Sequence, residues 1–239
     1  DHRGGGRASA RETAVRVAGG AFAQLLLNEF KIEVLSGVLG IGKAISDKVD
    51  FDFAQNSQIY ALGNEEAMKE AVNKARSEHD SVGAVVLSVA RGVPAGLGEP
   101  LYDRLDSALA AALMGINGVK AVEIGAGVNV SSMLGSANND EMDELGFLSN
   151  NAGGILGGIS SGTEIVLKSH FKPTPSIFKE QKTLNLAGEA VDFELRGRHD
   201  PCIGIRGSVV ATAMIRLVLA DMLLLNASTK LENLKKIYG

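Results

Sequence analysis

Val209-Val210-Ala211-Thr212-Ala213-Met214-Ile215-Arg216-Leu217-Val218-Leu219-Ala220-Asp221-Met222-Leu223-Leu224-Leu225 is the best candidate in this chain for a membrane span. It is interrupted by Arg216 and Asp221, and it is no longer than the shortest stretch that crosses a bilayer. It therefore reads as a buried helix, residues 209–226, and the chain as a globular protein built around it. No membrane partner is expected.

Working outward, a capping pattern at Ser9-Ala10-Arg11-Glu12 opens a helix expected over residues 10–30. Its apolar face is assigned to Val15, Ala18, Phe22, Leu25 and Leu26. Residues 31–45 read as a strand bent at Gly37, Gly40 and Gly42, and residues 47–62 as a loop with a short element. Asn64 caps a helix over 64–75, a strand follows over 81–90, and a helix over 101–114. Residues 119–124, 165–169, 183–186 and 190–194 read as strands, and a short basic helix ends the chain over 229–238. The spacing is not a regular alternation of one strand and one helix, so the fold class is α+β rather than a doubly wound parallel sheet. Length allows one large domain or two small ones, and no internal repeat divides it. A single domain over 1–239 is expected.

The hydrophobic share of 45% is enough for a sizeable core, and the 29 glycines cluster in short loops. A net charge of -4 argues against a nucleic-acid partner. The lone cysteine, Cys202, fits a reducing, cytoplasmic compartment. The chain starts on a charged glycine-rich turn without an initiator methionine, which implies a piece of a longer protein.

Four segments carry chemistry. Arg3-Gly4-Gly5-Gly6-Arg7-Ala8-Ser9 can turn backbone N–H groups and an arginine fork toward one anion, next to a helix N-terminus. A flexible loop before a capped helix is the plainer alternative. The run is not a P-loop, because no Gly-Lys-Ser/Thr ends it. Asn150-Asn151-Ala152-Gly153-Gly154-Ile155-Leu156-Gly157-Gly158-Ile159-Ser160-Ser161-Gly162 admits either a ligand or a second backbone, and matches no dinucleotide fingerprint. Lys172-Pro173-Thr174-Pro175-Ser176 is a stiff, extended segment that would aim donors at an anion, or an ordinary exposed turn. Arg198-His199-Asp200-Pro201-Cys202 packs a cation, an imidazole and a carboxylate together. In an extended segment Arg198 and Asp200 share a side and His199 turns away. His79 and His170 read as solvated or structural, Cys202 as packed, and the acidic run 139–144 as a solvated, mobile loop rather than a metal site.

These segments, with Asp1-His2-Arg3-Gly4-Gly5-Gly6-Arg7-Ala8-Ser9-Ala10-Arg11-Glu12-Thr13 and Val122-Glu123-Ile124-Gly125, resemble the chorismate synthase family over the whole chain. The resemblance implies helices sandwiched between antiparallel sheets, a homotetramer, and reduced FMN as cofactor. It implies a lyase that converts 5-enolpyruvylshikimate 3-phosphate to chorismate and phosphate, with NADPH needed only if the enzyme reduces its own flavin. Carried over by motif, Arg7, Ala8, Ser9, Asn117, Gly118, Gly157, Lys172, Pro173, Thr174, Pro175, Ser176 and Arg198 belong to the flavin site. Asp200 matches an acid near the flavin N5 that assists proton movement. The family's catalytic histidines and substrate-binding arginines precede the residue that matches Asp1, so these 239 residues alone are expected to be inactive, and His2 does not replace them. Ile203-Gly204-Ile205-Arg206-Gly207 lacks the prolines usual after the Arg-His-Asp-Pro-Cys motif. A non-catalytic flavin- or phosphate-binding module is the alternative. A phosphotransferase is disfavoured by the missing Lys-Ser/Thr and by the lack of a magnesium carboxylate pair.

Overall fold

The structure is a computed structural model that describes residues 9–195 and 199–239. In chain order the elements are α1 (Thr13–Glu29), β1 (Glu33–Ile41), β2 (Ala44–Ile45), α2 (Phe51–Asn56), α3 (Glu65–Ser77), β3 (Ala84–Arg91), α4 (Leu105–Met114), β4 (Val119–Ile124), α5 (Gly135–Asn138), β5 (Met142–Asp143), β6 (Gly146–Phe147), β7 (Ile155–Leu156), β8 (Ile159–Ser160), β9 (Ile165–Phe171), β10 (Gln181–Leu184), β11 (Ala190–Phe193), α6 (Gly204–Ala227) and α7 (Leu231–Tyr238). The fold is α+β. Five strands form one antiparallel sheet in the order β2-β1-β3-β9-β4, with a bulge in β1 between Val38 and Gly40. Three two-stranded hairpins, β5-β6, β7-β8 and β10-β11, stand apart from it.

The sheet's two faces follow from strand periodicity. Along β9, Ile165, Leu167, Ser169 and Phe171 are buried while Val166, Lys168 and His170 are half-buried. The fully buried face meets a helix layer, where Leu109, Leu113, Ile215 and Leu219 join Val86, Ile165 and Leu167 in one core. α6 crosses β1, β3 and β9, with α1 and α4 beside it. The opposite face is covered near β1 and β3 by α2, through Phe51, Ala54, Leu62, Leu87 and Val89. Further along that face Glu123, only 9% exposed, pairs with Lys168 at 3.5 Å and with the His170 Nε2 at 2.6 Å. His170 is thus a structural residue, as the sequence suggested.

By length and composition alone α6 could cross a membrane. It packs instead as the hub of the core, burying Ser208, Val210, Ala211, Ala213, Ile215 and Leu219. Its two charges are placed accordingly. Asp221 is exposed, and the half-buried Arg216 reaches the Val34 carbonyl at 3.3 Å. Partial desolvation lowers the Arg216 pKa from the usual guanidinium value, and the charge of Glu33 opposes that shift.

Several sequence expectations need correction. α1 begins at Thr13 after a 3₁₀ turn at Ala10–Glu12, and Glu12 pairs with Arg16 at 2.8 Å instead of completing a capping box. The face assigned to the core is mostly the outer one: Val15, Phe22 and Leu25 are 78%, 75% and 64% exposed. Val17, Ala23, Leu26 and Leu27 pack inward, with Gly20 lying on Ala213. A helix apolar nearly all round offers two faces, and size alone does not choose between them. α4 starts at Leu105, not 101. Asn64 is the N-cap residue of α3, but its side chain donates to the Ile45 carbonyl rather than capping the helix. The acidic run is not a free loop, because Asp140 accepts from Ser149 Oγ and the Asn151 N–H at 2.6 Å and from the Ala152 N–H at 2.8 Å.

Candidate functional site

One end of the sheet collects four chain segments. β9 ends at Phe171 beside the turn that leads from α4 into β4, where the Lys172 N–H donates to the Gly118 carbonyl at 2.9 Å. Gly118 has φ of 94°, and a side chain there would meet the Ile203 Cδ1 at 2.4 Å. A glycine at this turn therefore lets the Asn117 turn lie directly against the start of α6. On the other flank the Pro201 carbonyl accepts from the Val82 N–H at 2.8 Å, and Cys202 is buried among Val38, Ile41, Met68 and Ala84. Anchored by these two residues, Asp200 stays at the surface.

Two further bonds tie the proline segment to Asp200. The Thr174 hydroxyl donates to the Asp200 carbonyl at 3.1 Å, and the Thr174 carbonyl accepts from Ser81 Oγ at 2.6 Å. The Asp200 carboxylate pairs with Arg206, in the first turn of α6. Between the 3₁₀ turn before α1, the end of α4 and the start of α6 lies a cavity of about 230 Å³. Ala10, Arg11, Asn117, Phe171, Asp200 and Arg206 line it. Ser9 caps the entering turn, accepting from the Arg11 N–H. The N-terminal ends of α1 and α6 both open here, and both carry partial positive charge. With Arg11, Arg206 and nearby Lys172, they make a site suited to an anion, with one carboxylate at its rim.

Of the expected residues, Asn117 and Asp200 line this cavity, Ser9, Gly118, Lys172, Pro173 and Thr174 are bonded to or adjoin its walls, and Ser176, which Pro175 precedes, lines a neighbouring cleft with His79 and Phe178. Thr174 is engaged as a tether between segments, and Lys172 and Pro173 are exposed. Gly157 is elsewhere. It sits in the turn of the β7-β8 hairpin, next to Gly158, whose carbonyl accepts from the Leu105 N–H at the start of α4. Asn117 follows the other end of α4, so ten helical residues separate the two, roughly 15 Å. Arg7, Ala8 and Arg198 lie outside the described residues. Sequence reading did not place Arg206 in the site. Its signal is faint: a cation six positions after Asp200 becomes its neighbour only because the chain turns into α6 between them. Among the described residues no group of His, Cys, Asp and Glu could hold a metal ion.

Cys202 lies two residues after Asp200, and burial raises its thiol pKa above the ordinary value, partly offset by hydrogen bonds from the Gly204 and Ile205 N–H groups. A buried thiol held in its protonated form is a poor nucleophile. Native protein should react with a disulfide reagent far more slowly than urea-unfolded protein. Equal rates in the two states would contradict this.

The family model for chorismate synthase matches residues 1–224. The chain belongs to the chorismate synthase family. The chorismate synthase of Campylobacter concisus (strain 13826) is 98% identical over 239 residues, all of this chain and 67% of that protein. The chorismate synthase of Campylobacter curvus (strain 525.92) is 73% identical over 238 residues, again all of this chain and 67% of that protein. A crystal structure of chorismate synthase superposes with a TM-score of 0.78 at 31% identity, covering 96% of this chain and 68% of that one. The chain thus spans about two thirds of the length of the chorismate synthases it matches.

Proposed function

We propose that this chain forms the flavin-holding part of an FMN-dependent lyase that converts 5-enolpyruvylshikimate 3-phosphate to chorismate and phosphate. The reading is supported by one observation: Asn117 and Asp200, far apart in sequence, line one cationic cavity in a chain of this family, with Gly118 bonded to Lys172 and Thr174 bonded to Asp200 beside it. The donors fit the group. Arg11, Arg206, Lys172 and two helix N-termini supply positive potential for a flavin phosphate and for a substrate bearing a phosphate and two carboxylates. Reduced FMN, when bound, would supply transient electron density to a reaction without net redox change. The chain's own residues hold and orient. Asn117 and the Gly118 turn form one wall, and Arg206 fixes Asp200, whose carboxylate holds or moves a proton at the cavity rim. In the 1,4-elimination a C–H bond and the C–O bond to phosphate break, a diene forms, and fixed cations stabilise the leaving phosphate.

Gly157, remote within one protomer, joins the flavin site from another copy if the enzyme is the homotetramer we propose. A cytoplasmic location belongs to the same reading, as does NADPH for members that reduce their own flavin. The test is anaerobic turnover of the enolpyruvyl substrate with reduced FMN. Family-length protein carrying these residues is expected to form chorismate, and the 239 residues alone are expected to form none. Flavin binding without turnover by the family-length protein would favour a non-catalytic binding module. Turnover by the 239 residues alone would overturn the expectation of inactivity.

A further inference from the structure

At the end of the sheet away from the Lys172 turn lies a separate cleft of about 500 Å³. It follows residues 34–36 of β1, where no strand lies on the outer side, because β2 pairs with β1 only at Gly40 and Ile41. α1 and α6 wall it on one side and α2 on the other. Val17, Phe51, Ala54, Val209 and Ala213 make the surface largely apolar. The cleft holds one formal charge, the Arg216 guanidinium.

That guanidinium is only partly satisfied. Its Nη2 donates to the Val34 carbonyl at 3.3 Å, but its Nε is buried with no hydrogen-bond partner. Among the described residues no acid pairs with it, and Glu33, the residue before Val34, pairs with Arg91 at 3.9 Å instead. A buried donor on a charged group is costly to leave without an acceptor, and native folds leave few. The fold makes no ionic use of this charge. An acceptor that entered the cleft would use it, and a carboxylate is shaped to take two N–H bonds from one guanidinium edge.

We propose that this cleft binds a small apolar monocarboxylate, a single carboxylate carried on an aromatic or short aliphatic body. The carboxylate accepts from Arg216, and the body lies against Phe51, Ala54 and Val209. One cation matches one negative charge, whereas a phosphate dianion would leave a charge unmatched among apolar walls. The volume is in the range of ordinary small-molecule sites. The cleft shares no lining residue with the cavity proposed to hold flavin, and Arg216 lies ten residues along α6 from Arg206, roughly 15 Å. The site does not rest on the flavin reading.

3-Phenylpropionate is the probe, with 3-phenylpropanol, acetate and inorganic phosphate as controls, titrated into family-length protein with FMN present and absent. The acid should bind with a Kd of roughly 0.1–1 mM, unchanged by saturating FMN. The alcohol and acetate should each bind about tenfold more weakly or worse, since one lacks the charge and the other the apolar body. Arg216→Met should weaken binding by a similar factor while the ligand-free unfolding midpoint holds or rises, because an apolar chain replaces a buried unpaired donor. Arg216→Lys keeps the charge without the fork and should restore only part of the affinity. Ala21→Leu reads the same site without touching Arg216: residue 21 is exposed on α1 where it lines the cleft, so the larger side chain should weaken binding at no cost in stability. A purely structural Arg216 would lower the midpoint of Arg216→Met and leave acid and alcohol binding alike. No binding of 3-phenylpropionate at millimolar concentration, which includes the case where the rest of the family-length protein fills the cleft, would overturn the proposal. So would equal affinity for the alcohol or for phosphate, or displacement by FMN.

Discussion

Asp200→Asn in the family-length enzyme is expected to lower kcat by roughly 10²–10⁴-fold, the range for removing a positioned acid–base group, with little change in KM. The amide keeps the shape of the side chain but neither takes nor gives a proton at that place. The substitution is a clean probe because Asp200 supports little of the fold. Its side chain is 47% exposed, and the bond that tethers the loop uses its backbone carbonyl, accepting from Thr174. Pro201 and Cys202 hold the loop independently. The unfolding midpoint should therefore stay close to that of the parent. Arg206→Gln should have a smaller effect on stability, since the pair it makes with Asp200 is 74% and 47% exposed, and such pairs contribute about 0–1 kcal/mol. A drop in kcat of less than tenfold for Asp200→Asn would remove Asp200 from the proton path. A drop matched by loss of folded protein would make it a structural residue instead.

How much of this was legible in the sequence depended on whether local pattern and tertiary packing agreed. β4 spans residues 119–124, the bounds expected from sequence, and α6 is a core helix whose two charges are accommodated, Arg216 half-buried against the Val34 carbonyl and Asp221 exposed. The site segments were legible as chemistry because Lys172-Pro173-Thr174-Pro175-Ser176 and the residues around Asp200 concentrate donors and stiff backbone. Their convergence was not legible from spacing. It depends on antiparallel pairing that brings the end of β9 beside the start of β4, with Phe171 opposite Val119. Arg206 escaped notice for the same reason, since its partnership with Asp200 exists only after α6 forms. Gly157 shows the reverse failure. A motif carried over from a family groups residues by role, whereas one folded protomer groups them by distance. On α1, helical spacing alone admits two faces, one with Val15, Phe22 and Leu25 and one with Val17, Gly20 and Leu27, and the second packs on α6 because Gly20, with no side chain, lets the helix lie against Ala213.

That contact gives the largest expected effect on stability. Gly20→Ala should destabilise the fold by about 1–3 kcal/mol, the range for overpacking a well-filled core, even though alanine is the better helix former by roughly 1 kcal/mol. The two effects oppose each other, and geometry decides the sign. A Cβ at Gly20 would lie 2.5 Å from the Ala213 Cβ, 2.6 Å from its Cα and 2.9 Å from its carbonyl oxygen. Two of those atoms are backbone, so Ala213→Gly should not rescue the variant, and α1 must instead move off α6. Gly19→Ala is the control. The nearest atom to its added Cβ is a Leu217 methyl at 3.6 Å, an ordinary contact, so propensity should win and stability should hold or rise. At this chain size 1 kcal/mol corresponds to about 2–4 °C in midpoint, so thermal unfolding resolves the two variants. The functional consequence runs along the helix. Ala10, Arg11 and Thr13, at and just before the start of α1, form one wall of the cavity proposed to hold flavin, and Arg16 ties α1 to the Gly115 carbonyl at the end of α4 at 2.9 Å. Displacing α1 by the fraction of an ångström that a methyl group demands should therefore loosen that wall and weaken FMN binding by Gly20→Ala, while Gly19→Ala leaves it unchanged. Equal stability of the two variants would show that α1 and α6 are not in close contact. Lost stability with unaltered FMN affinity would show that the cavity does not use α1 as a wall.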